Sequence, residues 1–198
     1  MGDGREMRAT GSAAGSGVSP VAMAQVGVVI ALLAVSAQVS VAIGPVPFTL
    51  QTLVVALAAM VLTPGQAAAA LAGYVLLGAL GLPIFSLMRG GIAMIAGPTG
   101  GFLYGFILSA FLGSLMRRLI GSSTRARSIA GDVVCAAVVL VVCYVVGTVH
   151  LMLVGSMGVA AALGVAVVPF ILPDILKCVA AGLVAAALRK AIPSIAAR

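Results

Sequence analysis

The sequence predicts an all-α membrane protein of six transmembrane helices with both termini cytoplasmic. Three observations carry that expectation. Lys and Arg number 11 and Asp and Glu 4 in 198 residues, so only 8% are charged while 63% are hydrophobic. Soluble domains carry about 25% charge. No residue from Ala9 to Met88 has a formal charge, a run too long for one crossing at about 20 residues each. Lipid admits only helices or closed barrels, and these segments lack the alternation of a barrel strand.

The elements follow in order. Residues 1–19 are rich in Gly, Ser and Ala with scattered charges. They are expected to be a disordered cytoplasmic tail, the alternative being a signal peptide. The apolar run 21–43 that follows is long enough to span. Gly44-Pro45-Val46-Pro47 interrupts it. A short span, 48–62, opens with Thr49, Gln51 and Thr52; Thr63-Pro64-Gly65 turns the chain into a third, 67–82. Residues 83–99 are irregular and apolar, a pattern expected of a folded lid rather than a linker. A fourth span is expected at 100–116, a basic connection at Arg117, Arg118, Arg125 and Arg127, and a fifth span at 130–153. Asp132 is expected to cap that fifth helix beside Arg125 and Arg127. Gly155 to Gly158 make a turn, and the last span is 164–188. Residues 20–198 thus read as one six-helix domain.

Six spans place Arg5, Arg8, the four connection arginines, Arg189, Lys190 and Arg198 together, nine basic residues against Arg89 alone opposite. That bias assigns the nine to the cytoplasm and the 83–99 lid to the outside. The net charge of +7 therefore describes membrane orientation. Nucleic-acid binding is not expected, since the basic residues are not interleaved with aromatics and there is no Trp. Cys135, Cys143 and Cys178 lie in apolar segments without CxxC spacing and read as small core residues.

The unusual stretch is Pro173-Asp174-Ile175-Leu176-Lys177. An ionised side chain at membrane depth costs roughly 3 kcal/mol or more, so such residues point to a functional site. Pro173 suits a first helical turn, and an acidic residue there meets the positive end of the helix dipole. Asp174 and Lys177, at i and i+3, share a face. They fall on the outer half of the last span, on the side of Arg89. An outward-facing pocket follows, with one carboxylate, one ammonium and one guanidinium, and with Phe48, Phe85, Tyr104 and Tyr144 as apolar walls. The competing reading is a structural ion pair that neutralises itself between helices.

His150 reads as an interfacial or hydrogen-bonded residue. Gly155-Ser156-Met157-Gly158 beside it differs from the Gly-x-Ser-Gly of intramembrane serine proteases. A membrane-embedded enzyme using His150 or Asp174 is the reading from another class. No phosphate loop, HExxH or acidic metal motif is present, and no catalytic residue, metal or cofactor is expected.

Three ordered motifs carry a family resemblance: Gly44-Pro45-Val46-Pro47-Phe48-Thr49-Leu50-Gln51-Thr52-Leu53, Gly78-Ala79-Leu80-Gly81-Leu82-Pro83-Ile84-Phe85, and Gly97-Pro98-Thr99-Gly100-Gly101-Phe102-Leu103-Tyr104-Gly105-Phe106. With Pro173-Asp174-xx-Lys177 they resemble the BioY family, in order from about residue 24 to 188. That family comprises the biotin-capturing substrate components of energy-coupling-factor (ECF) transporters, built of six membrane helices. The resemblance implies capture and uptake of biotin across the bacterial cytoplasmic membrane. It implies Asp174 as acceptor for the ureido N–H groups, with Lys177 and Arg89 dividing the ureido carbonyl and the carboxylate between them. Phe48, Phe85 and Tyr144 would cover the apolar ring, and Gln51 and Gly91 complete the expected binding set. The implied partners are membrane lipid, a transmembrane coupling protein and two ABC-type ATPases. Gly27-xxx-Ala31 is the nearest match to the family's small-residue docking face. A substrate component for another vitamin, or a solitary facilitator, is the alternative.

Overall fold

The computed structural model describes residues 19–42 and 44–192. The expected tail, apart from Ser19, lies outside the described residues, as do Arg5, Arg8 and Arg198. Helix α1 (Pro20–Gln38) starts where Ser19 Oγ accepts from Ala22 N–H (3.2 Å) and Pro20 holds its first position. It stops short of the expected residue 43. Its last carbonyls find other donors: Leu50 N–H donates to Ser36 O, and Gln38 Nε2 to Ala34 O. The chain then forms a short antiparallel ladder, β1 (Ser40–Val41) with β2 (Phe48–Thr49), so the expected second span begins as a strand.

Helix α2 (Gln51–Val61) follows at 11 residues, or about 16 Å at 1.5 Å per residue. That is too short to cross a bilayer by itself. It survives because it packs against α1, α3 (Pro64–Ala79), α5 (Gly100–Ile120), α6 (Arg125–Gly155) and α8 (Ile171–Ala191), with Val55, Ala56 and Ala58 fully buried. Helix α3 opens on a complete capping box, Thr63 with Gln66, and on Pro64, which together satisfy its free N–H groups. Between α3 and α5 lie a tight turn (Ser86–Met88), left-handed at Leu87 and Met88, and the short α4 (Ile92–Ala96). The segment expected as an irregular lid is therefore an ordered excursion.

Helices α5 and α6 form the most extensive helix pair. A Cβ on Gly101 would overlap His150, and one on Gly147 would overlap the Phe102 ring. Small residues at these two crossings let the backbones approach closely. Helix α6 starts five residues earlier than expected, because Thr124 caps it: its Oγ1 accepts from Arg127 N–H. Asp132 is therefore two turns inside the helix and caps nothing. It bridges Arg117 of α5 (2.7 Å) and Arg189 of α8, not Arg125 or Arg127.

The expected last span at 164–188 is two helices, α7 (Val159–Ala166) and α8. Two prolines explain the break. Pro169 lies in the turn between the helices, and Pro173 lies in the first turn of α8. Inside one continuous helix each would remove a hydrogen bond and press its ring against the carbonyl four residues back. The first turn of a new helix accommodates Pro173 without that cost. Helices α1, α5, α6 and α8 are long and apolar enough to cross a membrane. With α2 and α3 they account for the six expected spans. Large apolar side chains such as Val35, Leu76 and Leu183 face outward, as a lipid-facing surface requires. The Arg117–Asp132–Arg189 cluster ties one end of α5, α6 and α8 together, and the opposite end holds the candidate site.

Candidate functional site

Helix α8 delivers Asp174 in its first turn and Lys177 one turn later. Both are buried, 4% and 7% exposed. Lys177 Nζ lies 2.8 Å from Asp174 Oδ1 and donates to Thr49 O at 2.6 Å. It also sits over the Phe48 ring, 3.9 Å from the centroid. An ammonium has three N–H donors, and these three contacts occupy it. Asp174 Oδ2 accepts from the Tyr144 hydroxyl of α6 at 2.7 Å. Each carboxylate oxygen holds one bond and keeps capacity for another. The pair therefore offers acceptors to a newcomer, while Lys177 must release a partner to donate.

These groups face a cleft whose wall is mostly apolar, with a few polar side chains among its lining residues, the composition usual for a small-molecule site. Of the expected site residues, Asp174, Lys177, Gln51, Phe85 and Tyr144 line it. Phe48 does not line it but stacks on Phe170 (6.2 Å between centroids) and underlies Lys177. Arg89 is exposed and its side chain is absent from the cleft wall. Its backbone carbonyl accepts from Phe85 N–H instead. Gly91 is also outside the wall. It has φ +95°, a conformation that favours glycine, and its N–H donates to Gly78 O at 2.7 Å. Its role is to fold the lid backbone onto α3. Tyr104, expected as a wall, is 43% exposed and packs its edge against His150. Gly27 and Ala31 lie on α1, away from the cleft.

Sequence reasoning missed several groups. Phe102, Phe106 and Phe170 supply much of the apolar wall. The Phe-rich start of α5 falls within the third motif and was the available signal. Two polar side chains anchor the lid. Gln38 Nε2 donates to Phe85 O (3.2 Å), while Gln38 Oε1 accepts from Met88 N–H (3.1 Å). Tyr74, fully buried, donates to Ile84 O (2.9 Å) and meets the Phe85 ring edge-on. No sequence pattern marks either residue. His150 Nε2 is 3.0 Å from Gly97 O, so it braces the end of the lid segment. Ser156 ends α6 in a left-handed conformation. No hydrogen bond pairs it with His150 among the described residues, so the structure holds no serine–histidine arrangement there.

The model of the BioY family matches residues 9–194. The chain belongs to the BioY family. It is 40% identical over 164 residues to the biotin transporter BioY of Thermotoga maritima, covering 83% of this chain and 93% of that protein. It is 41% identical over 156 residues to a probable biotin transporter BioY of Pyrococcus horikoshii, covering 79% and 88%. In three dimensions it matches a crystal structure of the S-component for biotin from an ECF-type ABC transporter, with a TM-score of 0.79. That match covers 88% of this chain and 95% of the other at 21% identity, and so concerns the fold. Family and fold make the chain a multi-pass membrane protein. Within this fold the ion pair lies against the cleft.

Proposed function

We propose that this protein captures biotin from the outer face of the cell membrane and is the substrate-specific component of an ECF transporter. The observation that carries the reading is the buried Asp174–Lys177 pair at the wall of an aromatic-lined cleft, in a BioY chain. A charge pair that served only stability would gain little, since apolar replacements of similar volume are often neutral or better. Set against a cleft, its spare carboxylate lone pairs suit the two N–H donors of a ureido ring. Phe102, Phe106 and Phe170 suit the apolar thiophane ring. Arg89 stands exposed in the lid, where it would meet the valerate carboxylate if the lid closed over the ligand.

Uptake against a gradient needs energy, and the chain has no nucleotide-binding loop. A transmembrane coupling protein and two ABC-type ATPases supply it in this reading, docking through the small-residue face of α1 around Gly27 and Ala31. The protein is a binding and transport component rather than an enzyme, resident in the cytoplasmic membrane with both termini inside.

Uptake of labelled biotin tests the proposal. Cells that lack their own biotin uptake should accumulate label when they express this chain with its coupling module, and excess unlabelled biotin should abolish the signal. Accumulation no greater than in cells carrying the module alone contradicts it.

A further inference from the structure

Gln51 and Tyr74 form a chain whose direction is fixed by donor counting. The Tyr74 hydroxyl has one proton. Ile84 O, 2.9 Å away, is a carbonyl and can only accept, so the proton points there. The other partner of the Tyr74 oxygen, at 2.9 Å, is the Gln51 side chain. Since Tyr74 has no second proton, Gln51 must donate, and the amide nitrogen faces Tyr74. The amide oxygen is then turned the other way. Gln51 is 5% exposed and lines the cleft. Its Oε1 accepts no hydrogen bond among the described residues, yet it is not among the fully enclosed unpaired atoms. It is therefore an acceptor open to the cleft.

We infer that Tyr74 is a positioning residue for substrate selection: it holds the Gln51 amide so that Oε1 presents a second hydrogen-bond acceptor, beside Asp174, to an N–H donor of the ligand. This rests on the biotin reading above and deepens it. Asp174 keeps lone pairs, Gln51 Oε1 is unpaired, and the Tyr144 proton is committed to Asp174. Two acceptors on opposing helices, α2 and α8, match a cyclic urea with two N–H groups. They reject an analogue in which one N–H is blocked, because a buried acceptor would be left unpaired. Tyr74 also joins this acceptor to the lid, since its proton partner is Ile84 O. One hydroxyl thus links the amide orientation to the lid, which Gln38 also holds.

The test measures biotin and an N-methylated biotin, blocked at one ureido nitrogen, by calorimetry on the full chain in detergent. The variants are Tyr74→Phe, Gln51→Ala and the double substitution. Tyr74→Phe keeps the ring that packs on Phe85 and removes only the hydroxyl. The expected result is a biotin affinity about tenfold weaker in each single variant. The preference for biotin over at least one of the two N-methyl isomers should also shrink about tenfold. The double variant should be no worse than Gln51→Ala alone, because Tyr74 acts through Gln51. Losses that multiply in the double variant, or an unchanged preference in Tyr74→Phe, overturn the inference and leave the biotin reading standing. Absence of biotin binding by the unaltered chain overturns both.

Discussion

Asp174 and Lys177 are each other's counter-charge and also the polar floor of the cleft, and the two roles separate by substitution. Losing one partner leaves a buried charge, which costs about 3–5 kcal/mol when nothing compensates. Lys177→Ala should therefore lower thermal stability, whereas Asp174→Asn combined with Lys177→Met, neutral and similar in volume, should recover much of it. Biotin affinity should follow a different course. Asp174→Asn and Lys177→Ala should each bind at least tenfold more weakly, about 1.4 kcal/mol, and the double variant should not recover. Restored binding in the stable double variant would make the pair purely structural. The pair itself was legible in the sequence, because two charges in an apolar helix demand a reason. Tyr144 could be named only as a wall: its hydroxyl bond to Asp174 spans 30 residues, which no spacing rule encodes. Side-chain pattern alone makes Lys177 a free donor, yet the Thr49 carbonyl and the Phe48 ring already occupy it. Backbone carbonyls leave no signature in side-chain patterns.

At the scale of elements, the lid segment is held by few groups. Leu87 and Met88 have φ of 61° and 56°, a left-handed conformation costing roughly 1–2 kcal/mol for a residue with a Cβ. Gln38 offsets that strain with bonds to Phe85 O and Met88 N–H. The Phe85 ring lies where a Cβ on Gly78 would be. Gln38→Ala should free the lid while the helices stay folded. Hydrogen exchange at the Met88 amide should speed up by at least tenfold, with α2 and α5 amides unchanged; equal protection in variant and parent would mean Gln38 is not the clasp. The sequence located this lid by its Gly and Pro content and its apolar character. It could not locate the clasp, because Gln38 sits at the end of a mostly apolar helix, 47 residues from Phe85. The break between α7 and α8 was readable in principle from Pro169 and Pro173, which together require a helix start between or beside them. The uncharged apolar run 164–172 concealed it, since hydropathy reports burial in lipid and not the backbone path.

Among the described residues, the charged groups are divided between two ends. Asp132 with Arg117 and Arg189 ties α5, α6 and α8 at one end, and the cleft opens at the other. Asp132→Ala would leave two largely buried guanidinium groups without a counter-charge. It should lower the melting temperature without changing the number of biotin sites; an unchanged melting temperature would show that the cluster is screened by solvent. Charge bias assigns that end to the cytoplasm. A reporter fused after Arg198 should therefore register as cytoplasmic, and an external signal would overturn the orientation. The number of spans was legible because apolar length is a one-dimensional property. The shortness of α2 was legible too, but its cause, enclosure by five other helices, is a property of the assembled bundle.

The cleft above Asp174 and Lys177 is the proposed biotin site. Calorimetric titration of the detergent-purified, unaltered chain with biotin tests it most directly. The titration should give saturable heat fitting one site per chain, much reduced in Asp174→Asn. No heat from the unaltered chain at micromolar biotin would contradict it.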